Sequence, residues 1–249
     1  MKTLFSQVFR SRCGWILLAC GALVCPSLNS GDLPPIRLLN VDFGPKLGPS
    51  QKIGPAATGQ TKTDFWNYYS RDNGFGQYRA AGALDHMKWA DGTVSTVGMT
   101  VDNAIGCWGN GAADPMFEYY LYPGAPGNLT VVITDLPSGL YDFYIYGHGD
   151  LDNQNGVFQL SSGKRDQGTQ STEADGVGWR SAIWLLGRQF VVFNNVPVVN
   201  GEPVTIAALR DQAGIAPIAG IQIVKKDSPP LAAATAIRER RAGRVSMAN

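Results

Sequence analysis

Cysteine is nearly absent from the part of the chain that folds. Four occur in 249 residues, and three of them, Cys13, Cys20 and Cys25, lie in an N-terminal segment read below as a cleaved leader. Cys107 alone is left, so no internal disulfide framework is available and stability has to come from an apolar core. Buried small hydrophobe is the preferred reading of Cys107, because "IGCWGNG" has no partner histidine nearby in sequence. Histidine is equally scarce, with only His86 and His148, which leaves a zinc site poorly supplied. Charge is low at 16% and close to balanced at +1, and its basic residues bunch only at the two ends, so nucleic acid is not an expected partner. No G-x-S-x-G elbow, P-loop or dinucleotide fingerprint occurs. No stretch of ten residues carries a convincing helical period.

What is present is period two. Apolar runs bounded by Gly, Pro, Asn or Asp begin at Ile36, Val94, Phe117, Leu129, Leu140, Gly156, Gln189, Pro203 and Ile218. Turns such as "LPSG" (Leu136 to Gly139) call for antiparallel pairing. The expected fold is all-β, an antiparallel β-sandwich in which two sheets each bury one face. Leu129, Val131 and Ile133 define the interior face of one strand, Tyr141, Phe143 and Ile145 of another, and Val204, Ile206 and Ala208 of a third.

The ends differ in character. Lys2, Arg10 and Arg12 precede the apolar run Cys13 to Val24, as in an export signal, and that run is too short to span a bilayer comfortably. Residues 1–30 are therefore assigned as a signal peptide, 31–35 as a linker, 36–226 as the sandwich, and 227–249 as a basic, solvated and mobile tail. The protein is expected to be exported, extracellular or periplasmic, with no transmembrane segment in the mature chain. "LLACG" offers the alternative of a lipoprotein anchored through Cys20, although the apolar run continues past it.

Laid in order, "LLNVDFG" (Leu38 to Gly44), "GPAATGQTKTDFWN" (Gly54 to Asn67), "DLPSGLYDFYIYGHG" (Asp135 to Gly149) and "IAGIQIVK" (Ile218 to Lys225) resemble the galactose-binding-like jelly rolls. Within them they are similar to malectin-type and other carbohydrate-binding modules of exported bacterial proteins. The resemblance implies a jelly roll whose first and last strands lie side by side, and binding rather than catalysis. No binding residue is carried over from that family.

A sugar ring presents C–H faces that stack on aromatic rings and hydroxyls that pair with amides, carboxylates and guanidinium groups. "DFWNYYSRDN" offers Trp66, Asn67, Tyr68, Tyr69 and Arg71 in a loop-like segment; the bland alternative is a loop pinned by buried aromatics. Strand parity places Tyr144, Tyr146 and His148 on one outer face, with Tyr120 and Tyr122 able to join them, either as a sugar platform or as ordinary cross-strand pairing. The loop from His148 to Asn155 adds Asp150, Asp152 and Asn153. It does not fit an EF-hand, but Asp150 and Asp152 are candidate ligands for a structural calcium, the one cofactor considered. The leading expectation is a non-catalytic module that binds a polysaccharide or glycoconjugate. The alternatives are a structural or adhesive surface module, and a glycan hydrolase or lyase, for which no pair of carboxyls stands out.

Overall fold

The computed structural model describes residues 37–45, 51–72, 77–173, 178–210 and 214–226. The proposed signal peptide, the linker and the basic tail lie outside the described residues. Thirteen strands form, almost without helix: β1 (Leu38–Gly44), β2 (Asn67–Ser70), β3 (Gly82–Leu84), β4 (Gly98–Asp102), β5 (Gly106–Gly109), β6 (Tyr119–Tyr122), β7 (Leu129–Thr134), β8 (Gly139–Tyr146), β9 (Val157–Ser162), β10 (Arg165–Ser171), β11 (Phe190–Val198), β12 (Val204–Leu209) and β13 (Gly220–Lys225). They build a five-stranded sheet in the order β11-β8-β13-β1-β2, a six-stranded sheet in the order β10-β9-β12-β7-β4-β3, and the hairpin β5-β6. The expected antiparallel β-sandwich is what forms, with the parallel strand pair β1-β2 at one edge. First and last strands are neighbours, with Val41 opposite Ile221.

The core lies between the sheets. In the five-stranded sheet Val41, Ile221, Ile145 and Val191 make one cross-strand row, and Leu39, Ile223, Phe143 and Phe193 the next. They face Leu129, Val131 and Ile133 of β7 and Val204, Ile206 and Ala208 of β12, all fully buried. The interior faces read from alternation are therefore the interior faces observed. The motif "LPSGLYD" is explained by Tyr141, which is buried and donates its hydroxyl to the Pro137 carbonyl at 2.6 Å, fixing the turn that launches β8.

Four strands were not expected. β2 falls in the segment read as a loop, β3 and β5 are only three and four residues long, and β10 (RDQGTQS) has no apolar alternation at all. β10 is an edge strand, and its polar, bulged chain is what an unpaired edge requires to resist pairing with other chains.

The five-stranded sheet is buried on both faces. On its outer face the rows Asp42–Gly220–Tyr146–Phe190 and Asn40–Gln222–Tyr144–Val192 lie beneath a second apolar cluster that includes Trp66, Met116, Phe117, Tyr120 and Trp179. Polar atoms at the centre of this face are satisfied by the covering chain. Gln222 donates to Asn40 Oδ1 and to the Thr58 carbonyl, and its oxygen accepts from Thr58 N and from the Tyr146 hydroxyl. That hydroxyl in turn accepts from Ala57 N. Residues 51–66 are thus fastened across the sheet by hydrogen bonds that a buried amide would otherwise lose at a cost of about 1–3 kcal/mol.

Candidate functional site

Burial decides first among the residues expected to bind. Trp66 is 4% exposed and donates its indole N–H to the Gly54 carbonyl at 2.8 Å. Asn67 is a structural clamp: its amide donates to the Asn40 and Lys88 carbonyls and its oxygen accepts from Lys88 N. Tyr69 is fully buried in the inter-sheet core, edge-on to Phe43, because β2 places positions 67 and 69 on the same face as Val41 and Phe43. The expectation of an exposed aromatic loop is corrected: these side chains are interior. Tyr68 is half-buried, and Arg71 donates to the Ala104 carbonyl and covers the Tyr78 ring at 4.4 Å.

The tyrosine platform is corrected in the same way. Parity holds, but the face it selects is covered. Tyr146 is fully buried, Tyr144 is half-buried against Phe190, and Tyr120 is buried. Burial first, then the nearby Tyr144 and Asp114, push the Tyr146 phenol well above its ordinary value, despite the Ala57 N–H it accepts.

The loop from His148 to Asn155 is a turn with a purpose. His148 bridges Asn155, Gly149 N donates to the Gln154 carbonyl, and Asn153 adopts the left-handed backbone at φ 62°. His148 is fully buried; its Nδ1 lies 2.8 Å from the Gly149 carbonyl oxygen, which can only accept, so Nδ1 carries the proton. Its ring lies flat on Trp179, with centres 5.3 Å apart. Asp150 accepts the indole N–H of exposed Trp108 on Oδ2, and its backbone carbonyl accepts from Arg180. Asp152 and Asn153 are exposed. Among the described residues no three His, Cys, Asp or Glu side chains gather, so Asp150 and Asp152 lack the further carboxylates of a calcium cage.

Those contacts lead to a cleft of about 290 Å³ beside the covered face. Its walls include Phe117, Trp179 and Trp184, with Asp114 and Arg180 supplying charge. Phe117 meets Trp184 edge-on at 5.7 Å, and Trp184 meets Tyr146 edge-on at 5.2 Å. Arg180 stacks its guanidinium 4.1 Å from the Trp179 ring centre. Asn110 joins the two sides, donating to the carbonyls of Phe117 and His148. Gln189, fully buried, holds the 181–187 segment by donating to the Ser181 and Ile183 carbonyls and accepting from Leu185 N. None of Phe117, Trp179, Arg180, Trp184 or Gln189 was a binding candidate from sequence. "GVGWRSAIWLLGR" carried two tryptophans and two arginines without a period to orient them.

Beneath the cleft, Asp114 pairs with Lys52, whose backbone N–H also reaches Asp42. Burial pushes the Asp42 carboxyl up to about 8; Asp114 and Glu118 add to the shift, against the opposing Lys52 N–H and charge. Trp108, 56% exposed, is linked to Arg180 through Asp150, and the Ile183 and Leu186 side chains are also exposed.

No family model matches the chain. No curated protein matches it. Solved structures similar to parts of it include the YxiM protein of Bacillus subtilis, at 14% identity and a TM-score of 0.41, covering 78% of this chain and 41% of that one. The chain thus spans about two fifths of the YxiM structure. A second is the CBM36-1 domain of a multidomain xylanase from the hindgut metagenome of Trinervitermes trinervoides, at 14% identity and a TM-score of 0.32, covering 44% of this chain and 79% of that domain. A third is TmCBM61 in complex with β-1,4-galactotriose, at 17% identity and a TM-score of 0.26, covering 52% and 78%. Among the described residues no helix is long and apolar enough to cross a membrane.

Proposed function

We propose that the protein is an exported, non-catalytic carbohydrate-binding β-sandwich that holds a glycan in the cleft of Phe117, Trp179, Trp184, Asp114 and Arg180. The observation that carries this reading is the cleft itself, in which the half-buried Trp184 ring, backed by the buried Phe117 and Trp179, offers a surface for a sugar's C–H face beside one carboxylate and one guanidinium for its hydroxyls. Trp108, tethered by the same Asp150 whose carbonyl takes Arg180, offers a further exposed stacking surface. The loop from His148 to Asn155 then serves the site from behind: His148 backs Trp179, and Asp150 sets Trp108 and Arg180.

Binding is favoured over hydrolysis by the cleft's carboxylates. Glycoside cleavage uses two, and Asp114, already paired with Lys52, is the single acid among the described lining residues. The test is a glycan array on the whole protein followed by calorimetry of Trp184→Ala and Trp108→Ala. Each substitution is expected to weaken binding about ten-fold, or about 1.4 kcal/mol, with an unchanged fold. Unchanged affinity in both variants moves the site elsewhere, turnover of the bound glycan makes the protein an enzyme, and silence across the array favours the structural or adhesive module.

A further inference from the structure

The cleft's lining is unusual for a site that would hold only hydroxyl groups. Besides the aromatics, three of its residues are alanines, Ala112, Ala113 and Ala182, which put methyl groups into the wall. Opposed to these stand the Asp114 carboxylate, the Arg180 guanidinium and Ser181.

A simple hexose carries a hydroxyl on nearly every ring carbon, and each one pressed against methyl groups would be desolvated without compensation. An acetamido group has a different inventory, with a methyl that wants apolar contact, a carbonyl that only accepts and an N–H that only donates. The cleft supplies the complement of each. Its volume, about 290 Å³, is at the small end of ligand clefts and suits one ring with its substituent rather than an enclosed oligomer.

We infer that the cleft takes an acetamido sugar, with the acetyl methyl against Ala112, Ala113 and Ala182, the carbonyl accepting from Arg180, and the amide N–H donating to Asp114. This rests on the glycan reading above and narrows it. Ala113 and Ala182 are exposed, so enlarging them leaves the core untouched.

The experiment is saturation-transfer NMR on the full chain with N-acetylglucosamine, N-acetylgalactosamine, glucose and galactose, repeated with Ala182→Leu and Ala113→Leu. At least one acetamido sugar is expected to bind, with its acetyl methyl protons the most strongly saturated. The unacetylated sugars are expected to bind ten-fold more weakly or less, and either leucine to reduce the methyl signal at least five-fold with an unchanged melting temperature. Equal binding of the unacetylated sugars overturns the acetamido inference and leaves the glycan reading standing. So does silence from all four sugars while the array returns another glycan. Full methyl saturation in both leucine variants overturns the assignment to this cleft, and silence from the sugars and the array together overturns both.

Discussion

Asp42 shows how one side chain's surroundings become a property of the protein. It is 2% exposed, sits on the covered face of β1, and has its carboxyl pushed up to about 8, first by burial and then by Asp114 and Glu118. The folded state therefore binds a proton more tightly than the unfolded chain. The stability it contributes is fully present below pH 3.8 and is lost as pH rises toward about 8. Asp42→Asn removes that titration. Urea denaturation at several pH values is expected to show the wild type losing on the order of a few kcal/mol relative to the variant across this window; parallel curves would rule the effect out. Cys107 makes a second case. Burial pushes its thiol up to about 12, so at pH 8 only about one part in ten thousand is thiolate. Iodoacetamide is expected to leave Cys107 unlabelled in the folded protein and to label it in urea, as read by peptide mapping; rapid native labelling would contradict this.

At the scale of elements, the covering segments matter more than the strands they cover. The 181–187 segment has its backbone held by one buried side chain, Gln189, through three hydrogen bonds. Gln189→Ala leaves those groups without their partner. It is expected to cost about 1–3 kcal/mol in urea unfolding and to weaken glycan binding as Trp184 loses its fixed place. Gln189→Glu, which keeps the shape but not the donors, is expected to fail in the same direction. The hairpin β5-β6 shows a related dependence, since Gly106 stands opposite Tyr122 and a Cβ there would overlap the Tyr122 ring. Gly106→Val is therefore expected to displace Tyr122 and destabilise the hairpin beside Trp108, measurable as a lower melting temperature.

For the molecule as a whole, two sheets share one core, so unfolding is expected to be a single transition. Phe143 lies at its centre, paired across to Phe193 on one side and Ile223 on the other. Phe143→Ala is expected to cost about 3–5 kcal/mol with one coincident transition by fluorescence and circular dichroism. Two separated transitions would mean that the sheets do not depend on one another.

Alternation along the chain was enough to establish the β-sandwich and the interior residues of β7, β8 and β12, while the pairing of first and last strands was implied by the resemblance alone. Side chains alternate across any strand whatever the strand later packs against, so one buried face is written locally. Whether the opposite face meets water is not. Tyr144, Tyr146, Asn40 and Gln222 carry the same outward parity as a solvated row, and they are covered because segments distant in the chain settle on them, as Gln222 meets Asn40 across 182 positions. Tyr69 went inward because β2 pairs with β1 and takes its parity from that neighbour, while Trp66 is buried in the cluster that covers the outer face. The cleft has no local signature at all: Phe117, Trp179 and Trp184 come together only when the 110–118 and 178–190 segments close over the sheet. The loop from His148 to Asn155 drew notice from its composition, but its contacts with Trp108, Trp179 and Arg180 exist only in the folded chain, because side-chain type records what a residue can bond to and the tertiary structure decides what is within reach.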